Sequence, residues 1–319
     1  MIMKISIVTP SYNRPDYLYE TAFSILTQQG DFDLEYIIQD GGSKNEVINL
    51  IKRIERDLSI GRIPQRCRSV EFRWYSEKDN GMYDAITRGF ANSTGEIMAW
   101  LNSDDMYHPF ALKTITRVFG EFRDVGWITG IPNSFNCDGA RAGFDYLPFC
   151  YSQFFIELGY YRLDLAEYGF NWIQQESTFW RRELWEKSKK LNLTYRYAAD
   201  FFLWRDFARY SKLTKVFSFL GGYRFHGNQI TGNPELYNAE LGDFKTPPEG
   251  LKRLNLLLSK FEFQKERVLW SFDSEVILQD EFGLQRHELI GDYIFWNFSK
   301  KCWEKRNSTI FDRNYFTPC

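Results

Sequence analysis

Apolar and polar positions in the first half of the chain alternate between short continuous apolar runs and helical spacing. "KISIVT" (Lys4 to Thr9) is a β-rich run; Pro15 then suits the first turn of a helix, and Leu18, Ala22, Ile25 and Leu26 recur at helical spacing. "LEYIIQD" (Leu34 to Asp40) reads as a second strand. Ser43 and Glu46 then form a capping-box pattern, with Val47, Leu50, Ile51, Ile54 and Leu58 on one helix face. "VEFRWYS" (Val70 to Ser76) predicts a third strand leading into a helix from about Met82 to Asn92. "IMAWL" (Ile97 to Leu101) predicts a fourth, with a helix over Ala111 to Phe122. Such alternation implies a mostly parallel sheet with helices on both faces, and ligands bind such sheets beyond the strands' carboxyl ends. The polar clusters fall there: "TPSYNR", "DGGS", "EKDNG" and "NSDD" follow the four strands in turn.

Beyond about residue 130 the pattern is irregular and aromatic. "IQQESTFWRRELWEK" predicts a loop or short strand entering a helix, "YAADFFLWRDFARY" (Tyr197 to Tyr210) a helix, and "KVFSFLGGYRFHGNQIT" a strand and loop. "GDFKTPPEG" (Gly242 to Gly250) resembles a linker. The expected organisation is a catalytic α/β domain over residues 1–235 and a mainly helical extension over 236–319. The aromatic-basic segment "YIFWNFSKKCWEKR" within that extension reads as a helical cover in preference to an interfacial membrane patch.

Composition narrows the function classes. A formal net charge of -2 gives no general attraction for nucleic acid or anionic lipid. Five scattered cysteines suggest reduced thiols, not a disulfide framework. With no signal-peptide pattern and no apolar segment near the ~20 residues of a membrane span, the expected location is cytoplasmic, with peripheral contact at the inner face of a membrane left open.

Chemistry concentrates in the adjacent carboxylates Asp104 and Asp105. Paired acids at a strand end suit a hard divalent cation, Mg²⁺ or Mn²⁺, shared with substrate phosphate oxygens. The competing reading is a cap on the helix entered near Pro109. "DGGS" would let backbone amides approach a ligand, with Asp40 ahead of it able to accept a hydrogen bond from a base. Neither G-x-G-x-x-G nor the P-loop pattern occurs, so a dinucleotide oxidoreductase and a P-loop enzyme lack support.

In their order, "VTPSYNRPDYL", "YIIQDGGSKNEVINLI", "SEKDNGMYDAITRGFANSTGEIMAWLNSDD" and "IQQESTFWRRELW…AADFFLWRDFAR…YRFHGNQIT" resemble the family 2 glycosyltransferases over about residues 4 to 231. The resemblance implies a GT-A fold, Rossmann-like, with inverting sugar transfer. It puts Pro10, Tyr12 and Asn13 in the nucleotide loop and Asp40 at the base. Glu77, Asp79, Gly81 and Asp84 would line the nucleotide and donor sugar. Asp104 matches the last position of the family's metal-binding D-x-D motif, and Asn102 replaces the first Asp, where an amide suits a ribose hydroxyl better than metal. Asp105 would coordinate or cap, His226 would complete the metal or diphosphate site, and Arg224 would pair with phosphate.

Inverting transfer needs a base for the acceptor hydroxyl. The resemblance implies Asp200, ahead of an apolar helix, with Glu176 as its rival. Arg181 and Arg182 read as a helix-surface pair, and Trp172, Trp180 and Trp204 as core before sugar platforms. The implied activity moves sugar from a nucleotide-diphosphate donor, with a leaning to uridine, to a glycan or lipid-linked acceptor, in surface polysaccharide synthesis. A glycosidase with paired carboxylates and a non-catalytic sugar-binding protein on a transferase fold are the alternatives.

Overall fold

The computed structural model describes residues 2–144, 150–168, 172–227, 234–242 and 290–309, with a few isolated positions between. β1 (Met3–Ser11), β2 (Gln29–Asp40), β3 (Arg66–Ser76) and β4 (Ile97–Trp100) are the four expected strands, each but the last longer than its apolar run. α1 (Leu18–Leu26), α2 (Asn45–Ser59) and α3 (Met82–Ala91) connect them. β1 pairs in parallel with both β2 and β4, and β2 with β3. Ile5, Ile7 and Val8 are fully buried, and each such side chain contributes about 1.5–3 kcal/mol relative to exposure. α3 lies tight on β1 because Gly89 has no side chain: a Cβ there would come 2.5 Å from Val8 Cγ1.

β5 (Met106–Tyr107), α4 (Ala111–Glu121) and β6 (Trp127–Thr129) follow, then β7 (Asn133–Phe135), β8 (Arg141–Phe144) and α5 (Gln153–Leu158). The remaining elements are β9 (Thr178–Arg181), α6 (Arg182–Lys187), α7 (Ala199–Ala208), β10 (Leu213–Val216), β11 (Gly221–Arg224), α8 (Pro234–Leu241), β12 (Ile290–Asn297) and β13 (Cys302–Thr309). The main sheet has the order β13-β12-β10-β6-β9-β4-β1-β2-β3, and β5-β11-β7-β8 form a second sheet. Antiparallel β9 sits between β4 and β6, so β4, β6, β10 and β12 all run the same way.

Several expectations change. Pro15 precedes α1 by three residues and is not in its first turn. Ser43 caps nothing; α2 begins after Lys44 without a side-chain cap, because the Ser43 hydroxyl is bonded to Asp40 Oδ1 at 2.5 Å. Nor do Asp104 or Asp105 cap α4, whose N-cap is Phe110. Arg181 and Arg182 are half-buried, donating to the carbonyls of Val125, Phe119 and Gly95. Trp180 and Trp204 are core: Trp204 stacks on Trp100 and on Trp127, each at 5.7 Å.

The C-terminal region departs most. Residues 253–289 and 310–319, and most of the presumed linker, lie outside the described residues. α8 is helical as expected, but 290–309 form an antiparallel hairpin whose first strand extends the main sheet beside β10. Ile290–Asn297 reads IGDYIFWN, dense in the aromatic and β-branched side chains that favour strands, and pairs residue for residue with Cys302–Thr309. Four described cysteines, Cys67, Cys137, Cys150 and Cys302, are free. Among the described residues no helix is long and apolar enough to cross a membrane.

Candidate active site

The carboxyl ends of β1, β2, β3 and β4 deliver their polar loops to one rim, as the chain pattern implies. Asp40, at the end of β2, is fully buried. It accepts from the Gly42 and Ser43 amides (3.1 and 2.8 Å) and from the Ser43 and Ser76 hydroxyls (2.5 and 2.7 Å). With those four bonds its carboxylate shapes the loop. Three of the four bonds fall on Oδ2 and one on Oδ1.

Asn13 joins the first loop to this one. In the left-handed region at φ 50°, which Asn tolerates, it donates its amide N–H to Ser43 Oγ (2.7 Å) and accepts from the Lys44 amide at Oδ1 (2.9 Å). Pro10 is buried in β1, while Tyr12 is exposed beyond it. Asp79 packs over Gly41, where a Cβ would lie 2.7 Å from its Oδ2. Burial pushes the Asp79 pKa up, against one bond from the Gly81 amide. Gly81, at φ 119°, turns the chain into α3 as only glycine does without strain. Asp84 is nearly buried and takes the Asn80 amide (2.9 Å) and both arms of Arg88 (3.1 and 2.8 Å). Burial pushes its pKa up, but those donors outweigh it and hold the carboxyl below its usual value. Glu77 is exposed, 3.5 Å from Arg88. Like Asp40, Asp84 is a staple of the loop.

The fourth loop behaves otherwise. A cleft of about 820 Å³ is lined by Asn13, Arg14, Tyr17, Ser103, Asp104 and His226, among others. Asp104 Oδ2 lies 3.0 Å from His226 Nε2 and 3.6 Å from Arg14 Nη1. Asp105 turns the opposite way: it is buried, accepting from the Arg224 amide (2.8 Å) and Asn102 Nδ2 (3.1 Å). Arg224, also buried, donates to the carbonyls of Asp104 (2.8 Å) and Cys137 (3.0 Å) and to Glu20 Oε2 (2.7 Å). Two expectations are therefore corrected. Arg224 is consumed in fixing the backbone of the Asp104 loop and is not presented to phosphate; Asp105 is not a companion ligand to Asp104. Among the described residues no group of three or more His, Cys, Asp or Glu stands ready to hold a metal.

A two-residue metal site does fit the geometry. Asp104 and His226 offer one carboxylate and one imidazole at hydrogen-bond separation on the cleft wall, and Mg²⁺ or Mn²⁺ sites commonly draw their other oxygens from phosphate and water. Asn102 Oδ1 is buried without a partner, while its amide nitrogen is spent on Asp105.

Behind Asp104 lie two further acids. Glu176, on a short 3₁₀ turn (Gln175–Ser177) before β9, is half-buried. Burial, with the charges of Asp200 and Asp104, raises its pKa to about 7. Asp200 stands in the first turn of α7. Burial raises its pKa to about 6, and the Glu240 charge adds to this. Burial, Asp104 and Glu176 together hold Asp105 well above the carboxylate range. Tyr83 Oη donates to the Tyr197 carbonyl at 3.0 Å and lies 3.5 Å from Asp200 Oδ1.

Sequence reasoning missed Glu240. From α8 its carboxylate accepts the amides of Arg196, Tyr197 and Ala198 at 2.7, 2.8 and 2.9 Å, fixing the approach to Asp200. Nothing in the helix pattern singles it out. Arg14 and Tyr83 stood inside the quoted motifs, but only the folded geometry gives them roles.

A mostly parallel α/β sheet with its polar loops gathered on the carboxyl rim defines a GT-A fold. Residues 6–152 match the family described as Glycosyl transferase family 2. An uncharacterized glycosyltransferase of Nostoc sp. is 31% identical over 117 residues, covering 37% of this chain and 33% of the relative. A hyaluronan synthase of Streptococcus pyogenes is 30% identical over 120 residues, covering 37% and 27%. The chain thus spans about a third of the length of the curated relatives it matches. Among solved structures, S. aureus TarS 1-349 in complex with UDP-GlcNAc shares the fold, with a TM-score of 0.53, 12% identity and coverage of 89% of this chain and 74% of that one.

Proposed function

We propose that the chain transfers a sugar, with inversion, from a nucleoside diphosphate sugar to a hydroxyl of a glycan or lipid-linked acceptor. The reading rests on the Asp104–His226 pair at the wall of the 820 Å³ cleft, with the raised carboxylates of Glu176 and Asp200 behind it. A uridine donor draws support from the UDP-GlcNAc complex of TarS. Synthesis of a surface polysaccharide, on the cytoplasmic side of a membrane, is the setting that suits such an acceptor.

Each residue then has a task. Asp104 and His226 would hold a divalent cation, which when bound offsets negative charge on the diphosphate. Arg14, on the same wall, adds a guanidinium for phosphate oxygens. The loop built by Asp40, Asn13 and Ser43 presents backbone to the nucleotide. Asp200 takes the acceptor's hydroxyl proton as that oxygen attacks the anomeric carbon; a pKa near 6 leaves it ionised at neutral pH yet basic enough to accept one. Tyr83 stands beside it as a hydrogen-bond donor. Glu176, near 7, is partly protonated at neutral pH, which suits a pocket-shaping donor to a sugar hydroxyl better than a base.

The test is calorimetric titration with UDP and with UDP-GlcNAc, with and without Mn²⁺, followed by an assay for UDP release. Binding strengthened by the cation and slow donor hydrolysis are expected. No affinity for any nucleotide sugar, together with hydrolysis of glycans, would turn the assignment to a glycosidase. Donor binding without turnover across acceptors would leave a sugar-binding protein.

A further inference from the structure

A second groove, of about 250 Å³, opens where the start of α4 meets the terminal hairpin, lined by Phe110, Lys113, Thr114, Arg117, Trp296 and Trp303. Its wall is unusual in three respects. Phe110 has a φ of 68° with its ring half-exposed, a left-handed conformation that a bulky residue keeps only under constraint and that clusters at ligand sites. Trp296 and Trp303 face each other across β12 and β13, edge to face at 5.5 Å and partly exposed. Lys113 lies 5.9 Å over the Phe110 ring, and among the described residues no acid pairs with Lys113 or Arg117. Aromatic faces and two cations with no acid partner among the described residues therefore share one concave surface.

The hairpin wall of this groove sits at the carboxyl end of the sheet. β12 runs parallel to β10, β6 and β4, so Trp296 stands at the same end of the sheet as the loop holding Asp104. Four ladder steps separate β12 from β4, about 20 Å at the usual strand spacing. The α4 wall reaches the other way: Gln28, just before β2, accepts from the Leu112 amide (3.1 Å), and a Cβ on Gly30 would come 3.4 Å from Lys113 Cβ.

We propose that the groove binds an anionic glycan, holding a stretch of the acceptor chain remote from the point of transfer. The apolar C–H face of a sugar ring stacks on Trp and Phe rings, and carboxylate or phosphate on the glycan pairs with Lys113 and the forked guanidinium of Arg117. A concave surface with flanking tryptophans suits a ring-sized group. A bilayer would instead meet the protruding turn, where Phe298 is exposed beside Lys300 and Lys301. That the glycan is the acceptor rests on the transferase reading; the binding itself does not.

The experiment is calorimetric titration of the full chain at low ionic strength with four probes. They are an oligogalacturonate, a phosphodiester-linked glycan, a neutral malto-oligosaccharide and phosphatidylglycerol vesicles. Binding of either anionic glycan is expected, and which one binds tells carboxylate from phosphate. The double variant Lys113→Glu/Arg117→Glu should weaken it about tenfold while leaving UDP affinity unchanged. The proposal is overturned if neither anionic glycan binds, if the neutral glycan binds as tightly, if the double variant binds as well as the parent, or if only vesicles bind. Anionic glycan binding in a chain that never turns over a donor would sustain the groove and remove the transferase reading instead.

Discussion

The loops after β2 and β3 and the loop after β4 are built from the same residue types, yet their carboxylates live under opposite electrostatics. Asp40 collects four hydrogen bonds and Asp84 a two-armed guanidinium; Asp79, raised by burial, is the exception on this side. Across the rim, Asp105, Glu176 and Asp200 have raised pKa values because burial is not matched by positive charge. Satisfied acids lock backbone; under-neutralised acids store the capacity to take up a proton or a cation. The contrast assigns structure to the first region and chemistry to the second.

The strongest way to break that comparison is Asp200→Asn. Transfer should fall about 10²–10⁴-fold, the usual contribution of a general base, with UDP-sugar affinity retained by calorimetry. The same variant should melt at a higher temperature near neutral pH. The raised native pKa means that the folded chain binds the proton more tightly than the unfolded one. Ionising Asp200 therefore costs stability as pH rises toward 6, and Asn removes that cost. An unchanged turnover number would pass the base role to Glu176.

Next in size is Asp104→Ala, expected to lower transfer about 10²-fold or more through lost electrostatic stabilisation and to match the effect of chelator on the parent. Full activity in chelator would remove the metal from the scheme. Asp40→Ala sharpens the other side: it should cost about 3 kcal/mol in urea unfolding by orphaning buried donors, with loss of nucleotide affinity following the loop. A variant as stable as the parent would deny Asp40 its structural part.

The smallest expected effects are in pH. The transfer rate should fall as pH drops below about 6, where Asp200 becomes protonated. Glu240→Gln removes a charge that helps raise that pKa, so the acidic limb should move to lower pH, by less than about one unit. A limb that stays in place would reduce Glu240 to a backbone clamp.

β1, β2 and β4 were legible because strands buried on both faces read as continuous apolar runs; β3, on the sheet edge, is only partly buried. The rim loops were legible too, since polar clusters followed each run. Which acids were free was not. Asp40 and Asp104 look alike in sequence; only the convergence of Ser43, Ser76 and two amides on one of them separates structure from site. Arg224 misled for the same reason, because its partners Glu20 and the Asp104 carbonyl come from distant segments. The terminal hairpin was missed because neither IGDYIFWN nor CWEKRNST alternates apolar and polar residues, so no period told strand from helix.

That hairpin has a kinetic consequence. Because β12 pairs with β10, the flank of β10 stays bare during synthesis until residues 290–297 emerge. An uncovered strand edge is a template for association, and a ladder closed between segments this far apart forms late. Growth of the polypeptide past residue 297 therefore sets when the flank of β10 is covered.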